Sequence, residues 1–171
     1  EIRNWLINEL HQYTGKPLVP IDEEGRKPAK PFYSYKITSP YIPQSGQPIW
    51  TEEELFDEYD EGWIEQARKE EPTLVFSFNA YSSDLVECYE MALKLWQYFA
   101  IDGYYAMKEE IPDQSIVVRG QPGPVEDRTV LLDVTAYEFR AGFTVTLRVT
   151  SKTTRVIEPI ETADISKKES D

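Results

Sequence analysis

The sequence is poor in the residues from which metal sites and nucleophilic enzymes are built. Its 171 residues include one cysteine, Cys88, and one histidine, His11. A single cysteine excludes an internal disulfide, and so little sulfur and imidazole excludes a zinc site made from several such ligands. No run within the sequence approaches the unbroken apolar length of a membrane helix or a secretory h-region. No membrane contact is expected, and the single thiol fits a protein kept in a reducing cytoplasm. Basic residues are scarce as well: 18 Lys and Arg stand against 31 Asp and Glu, a formal charge of −13. Phosphate backbones are gripped by basic faces, so this balance argues against general nucleic-acid binding and favours solubility and repulsion from DNA. Internal repeats and low-complexity segments are missing too. The sequence begins at Glu1 without an initiator methionine, so the natural polypeptide is expected to start a few residues earlier or to be processed.

What is present is enough apolar material, 40% of residues, for one core. Ile2, Trp5, Leu6, Leu10 and Tyr13 recur at helical spacing, and Gly15 followed by Pro17 ends the pattern, which predicts a short N-terminal helix. LVPI at 18–21 reads as a brief strand, and the proline-broken DEEGRKPAKP after it as a loop. FYSYKIT at 32–38 lies between Pro31 and Pro40 and sets Tyr33, Tyr35 and Ile37 on one face of a strand. The span 51–72, TEEELFDEYDEGWIEQARKEEP, carries ten acidic residues against Arg68 and Lys69. Within it Thr51 and Glu54 have capping-box spacing, so one or two helical turns bearing Leu55, Phe56 and Tyr59 are expected before Gly62. TLVFSFNAY alternates as a buried strand should.

Ser82 or Ser83 is expected to cap the main helix, over 83–100, with Asp84 near its dipole and Leu85, Cys88, Ala92, Leu95, Trp96 and Phe99 forming its apolar face. SIVVRG at 115–120 reads as a strand and QPGPVED as a turn. TVLLDVTAYEFRAGFTVTLRVT follows, β-branched and aromatic throughout and too long for one strand, so a break or bulge is expected at Gly142. Together these elements predict an α+β fold: a mostly antiparallel β-sheet packed by a long central helix and a short N-terminal helix. It forms a single domain over 1–160 with an acidic hairpin insertion at about 41–72, and a charged, flexible tail occupies 161–171.

Templates for catalysis and ligand binding find little purchase. Cys88 falls on the apolar face of the main helix, which makes it a buried structural thiol rather than the partner of His11. Counted as a calcium loop from Asp57 with Gly62 sixth, DEYDEG puts Tyr59 at the third position and Arg68 at the twelfth, where oxygen ligands are required. RGQPGP has prolines that remove backbone donors and lacks the Gly-Lys-Ser/Thr of a phosphate loop. So many carboxylates single out no pair for glycoside chemistry. Tyr33, Tyr35, Trp5 and Trp96 hold core-like positions rather than those of a stacking platform. No catalytic residue, cofactor or metal is expected.

The exception to the acidic character is Phe139 to Arg155, FRAGFTVTLRVTSKTTR, with four basic residues and no acidic one. Thr144, Thr146, Arg148 and Thr150 project opposite to Phe143, Val145, Leu147 and Val149, which places Arg148 on a polar face.

The order of these signals, with Phe76 to Asp84 (FSFNAYSSD) and Tyr137 to Phe143 (YEFRAGF) as the most telling stretches, resembles the tail-terminator or neck proteins of tailed bacteriophages, the neck-terminator-like family. The resemblance covers roughly residues 2–155 and leaves out the acidic span 51–71 and the tail after Val156. It implies a virion structural protein without enzymatic activity, assembled in the host cytoplasm as an oligomeric ring, a hexamer being the form the family suggests. Such a ring caps the tail tube and joins it to a head-completion or connector protein. DNA passes through the lumen without specific binding. In that setting Arg140, Arg148, Lys152 and Arg155 become candidates for meeting a neighbouring subunit's carboxylates, with Glu58, Asp60 and Glu61 as acidic counterparts. The alternative is an acidic inhibitor that mimics DNA, or another phage-encoded binding protein; a carboxylate-dependent hydrolase ranks third.

Overall fold

The computed structural model describes residues 2–22, 25–46, 48–56, 62–109, 116–118, 122–134 and 136–157. The N-terminal helix α1, Ile2–Thr14, buries Leu6 and Leu10. It closes where Gly15 takes a φ of 68°, a left-handed conformation in which its amide donates to the His11 carbonyl at 2.9 Å. The chain then forms β1 (Leu18–Pro20), β2 (Phe32–Ile42), β3 (Ile49–Phe56), β4 (Gly62–Glu70) and β5 (Thr73–Tyr81). Helix α2 (Leu85–Gln97), a π-helical turn (Tyr98–Asp102) and α3 (Tyr104–Glu109) follow. The remaining elements are β6 (Ile116–Val118), β7 (Glu126–Asp127), β8 (Val130–Asp133), β9 (Ala136–Glu138), β10 (Arg140–Val149) and β11 (Ser151–Ile157).

The fold is α+β with largely antiparallel pairing. The main sheet runs β1-β2-β5-β10-β6, with β7 on the other part of β10, and β1 is parallel to β2. Its inner face is the alternate set Phe76, Phe78, Phe143, Val145 and Leu147, all buried, and α2 lays Cys88, Met91, Ala92 and Leu95 across it with Phe99 from the π-helical turn. The rings of Phe78, Phe99 and Phe143 form a triangle, Phe78 lying 5.2 Å from Phe99 and 6.0 Å from Phe143, and the last two 6.1 Å apart. The expected helical face is therefore the packed one, although Leu85 and Trp96 are only half-buried and Met91 and Tyr98 join it. Trp96 donates its indole N–H to the Gly123 carbonyl at 3.0 Å.

Three expectations need correction. The cap of α2 is Asp84, whose carboxylate accepts the Glu87 amide at 2.9 Å; Ser82 instead accepts the Asp84 amide at 3.2 Å, and Ser83 makes no cap. α2 and the π-helical turn together span 18 residues, Leu85 to Asp102. Residues 49–56 are a strand rather than helical turns: β3 pairs antiparallel with β4 from Ile49↔Lys69 to Phe56↔Gly62. A capped helix of one or two turns is marginal in water, whereas the ladder with β4 bonds one edge of β3 along the whole strand. Tyr59 lies outside the described residues. Finally, Gly142 lies inside β10 and breaks nothing, and the chain is interrupted instead at Val134, Phe139 and Thr150.

Gly142 has a different role. A Cβ there would run into the Phe78 carbonyl, the Asn79 side chain and the guanidinium of Arg128. The missing side chain leaves room for Arg128 to reach over β10 and donate to Ser77 Oγ at 2.8 Å and Asn79 Oδ1 at 3.0 Å.

Candidate subunit interface

The basic segment divides between two sheets. β10 pairs with β5 as far as Arg148↔Thr73, and the next described pair is Ser151↔Glu70, between β11 and β4. Between them the Val149 amide donates to the Pro72 carbonyl at 3.0 Å. Proline has no N–H to offer a ladder, so Pro72 marks the place where both strands leave the main sheet. Beyond it β11, β4 and β3 form a second, three-stranded antiparallel sheet, the arm.

Polar cross-strand bonds hold the arm together. Arg155 donates from Nε and Nη2 to Gln66 Oε1 at 2.9 and 2.7 Å, and Gln66 passes the chain on from Nε2 to Glu52 Oε1 at 2.6 Å. At its base Glu70 accepts from both Nη1 and Nη2 of Arg68, at 2.9 and 2.8 Å, and from the Tyr41 hydroxyl at 2.9 Å. These pairs explain how a strand bearing several carboxylates is tolerated. Of the arm's described side chains, Ala67 alone is buried, while Ile49, Trp50, Trp63 and Val156 are exposed, Trp50 at 60%.

The candidate residues fall into distinct environments. Arg140 is half-buried, and its Nε donates to the Arg128 carbonyl. Arg148 projects from the polar face of β10, is 13% exposed, and is ion-paired with Glu71 of its own chain. Lys152 and Arg155 lie exposed on β11, which has no acidic residue. Glu58, Asp60 and Glu61 lie outside the described residues. The structure thus gathers Lys152 and Arg155 on one strand, with Arg155 bonded to Gln66 of β4, and ties Arg140 and Arg148 into the chain's own fold.

A second exposed surface escaped the sequence reading. β8 and β9 make a two-stranded hairpin apart from both larger sheets, and Leu131, Leu132, Val134 and Tyr137 stand exposed on it, Leu132 at 64% and Val134 at 89%. Their apolar character suggested a buried strand; the hint of a turn was Asp133, whose carboxylate accepts the Val134 amide at 2.7 Å. Arg128 was missed too, though a glycine amid β-branched residues is the usual sign of a side chain or backbone crossing closely.

The groups that could support chemistry are engaged elsewhere. Cys88 is buried, its thiol donates to the Phe139 carbonyl at 3.3 Å, and burial raises its pKa, which disfavours the thiolate. His11 donates from Nδ1 to the Lys16 carbonyl at 2.8 Å, beyond the end of α1. Tyr13 donates to Asp102 Oδ2 at 2.6 Å; partial burial and that carboxylate push its pKa up to about 12. Among the described residues no cluster of three His, Cys, Asp or Glu side chains is placed to hold a metal.

A comparison with curated proteins finds no match. The sequence model of a family described as phage neck terminator protein matches residues 4–171, through the acidic hairpin and the tail that the resemblance had left out. The match spans nearly the whole sequence, and the chain belongs to the phage neck terminator family.

Proposed function

We propose that this virion structural component works as a closed ring of identical subunits, a hexamer, that caps the tail tube and joins it to a head-completion or connector protein. Membership of the phage neck terminator family carries the structural role in the tail or neck. The observation that supports assembly is the arm: a three-stranded sheet with large apolar side chains exposed and a basic outer strand, in a chain of charge −13. Exposed apolar groups rimmed by charge mark surfaces that meet a partner. Contacts between two different patches of one chain generate rings when the rotation closes. Lys152 and Arg155 are placed to meet carboxylates of a neighbour, and the acidic excess keeps a passing duplex from adhering to the lumen. On this reading the chain has no enzymatic activity and is assembled in the host cytoplasm.

Electron microscopy of isolated tail tubes incubated with the purified chain tests this. Rings seated at one end of the tube are the expected result. Tubes that stay bare at saturating protein would overturn the reading and favour the DNA-mimic alternative, which competition for a basic DNA-binding groove would reveal.

A further inference from the structure

We infer that the β8–β9 hairpin of one subunit docks against the outer edge of β11 in the next. The inference rests on the ring reading and names the two surfaces that join. Isolated hairpins are marginally stable in water, and this one exposes four large apolar side chains, Leu131, Leu132, Val134 and Tyr137. An edge strand with its amides and carbonyls unpaired is a template for a strand from another chain. Among the described residues β11 is such an edge: it pairs with β4 on one side and stands at the end of its sheet, with Val156 exposed on it.

Charge selects this pairing among the exposed surfaces. The hairpin sequence 130–138 contains Asp133 and Glu138 and no basic residue, whereas β11 contains Lys152 and Arg155 and no acidic residue. Complementary potentials fix the register and suppress the pairing of like surfaces, so hairpin on hairpin and β11 on β11 are both disfavoured. Topology keeps the two surfaces apart within one subunit. The hairpin precedes β10 and β11 follows it, so they leave opposite ends of a ten-residue strand, roughly 30 Å apart at the usual rise per residue. A chain that carries complementary surfaces at opposite ends cannot satisfy them internally and joins head to tail.

Two full-length variants test this pairing. D133K/E138K makes the hairpin basic, and K152E/T154E makes β11 net acidic at exposed positions while leaving the bonds from Arg155 to Gln66 in place. Sedimentation velocity is run on each alone and on their equimolar mixture, free and with isolated tail tubes, after thermal melting shows that both keep the wild-type transition. Each variant alone is expected to associate at least tenfold more weakly than wild type. The mixture is expected to recover wild-type assembly, because basic hairpins then meet acidic edges and acidic hairpins meet basic edges in alternation. As a probe of the apolar contact, Leu132→Asp is expected to weaken association in a way that salt does not reverse. If the charge variants assemble like wild type, or fail to rescue each other, the hairpin-to-β11 contact is wrong while the ring reading stands. If wild type itself never associates, free or on tubes, both fall.

Discussion

The main sheet and the arm share strands of similar length and one continuous stretch of backbone, yet they are built on opposite terms. In β10 every second residue, from Ala141 to Val149, is buried under α2. In β3, β4 and β11 the described side chains form no buried layer, and what joins the strands beyond the ladder is a relay of Arg, Gln and Glu. Burial of apolar surface is the dominant stabilising effect, and exposed polar pairs contribute little each. The main sheet is therefore the unit expected to fold, and the arm's described residues form a sheet with no second layer packed on it. In the proposed ring that layer comes from a neighbouring subunit.

The largest expected difference between the two regions is in their response to truncation. Leu95→Ala, beneath the main sheet, is expected to cost about 2 to 5 kcal/mol in denaturant unfolding. Trp50→Ala, on the arm, removes a larger side chain and is expected to change stability by less than about 0.5 kcal/mol. Similar losses at the two positions would abolish the distinction. Next in size is Gly142→Ala, where the added methyl meets the Phe78 carbonyl, Asn79 and Arg128; overpacking of this kind costs about 1 to 3 kcal/mol. A neutral result would show that Arg128 moves aside freely.

The position of Gly142 also shows how far the sequence is legible. β2, β5 and α2 were readable because each repeats its apolar residues at a local period that tertiary packing then uses. The arm was not readable as a sheet, since β11 meets β4 across some 80 residues, and a local Thr51/Glu54 signal pointed to a helix that a ladder outcompetes. The break in the long β-run is expected at its glycine, whereas the run is interrupted at Val134 and Phe139 and ends at Thr150, opposite Pro72 between β4 and β5. For the candidate interface, the excess of basic residues was legible, but their partners were not. Glu71 is far from Arg148 in sequence, and Leu131, Leu132, Val134 and Tyr137 are residues of a buried composition in an exposed place.

A smaller effect sharpens the comparison from the assembly side. Replacing residues 48–70 by a Gly/Ser linker and ending the chain at Thr150 is expected to leave a single cooperative thermal transition while abolishing association. Loss of that transition would make the arm part of the folding unit. The smallest effect is on the pH dependence of the core. Tyr13 has a folded-state pKa raised above the ordinary 10, to about 12, by burial and by Asp102. The neutral phenol is thus favoured by folding: its contribution is complete below pH 10 and is lost as pH rises toward 12. In Tyr13→Phe the melting temperature is expected to be slightly lower at neutral pH and to fall less steeply across that window. An unchanged alkaline slope would assign it to other tyrosines, such as the buried Tyr33, whose pKa is also raised by burial.

The most direct measurement of the central claim, that the main sheet is the folding unit and the arm is completed by assembly, is amide hydrogen exchange on the free chain and on chains bound to tail tubes. The account predicts that β5 and β10 are protected in both states, with opening near the global unfolding free energy, and that β3, β4 and β11 exchange orders of magnitude faster in the free chain and become protected on the tube. Arm amides as slow as those of β10 in the free chain, with no further slowing on assembly, would contradict it.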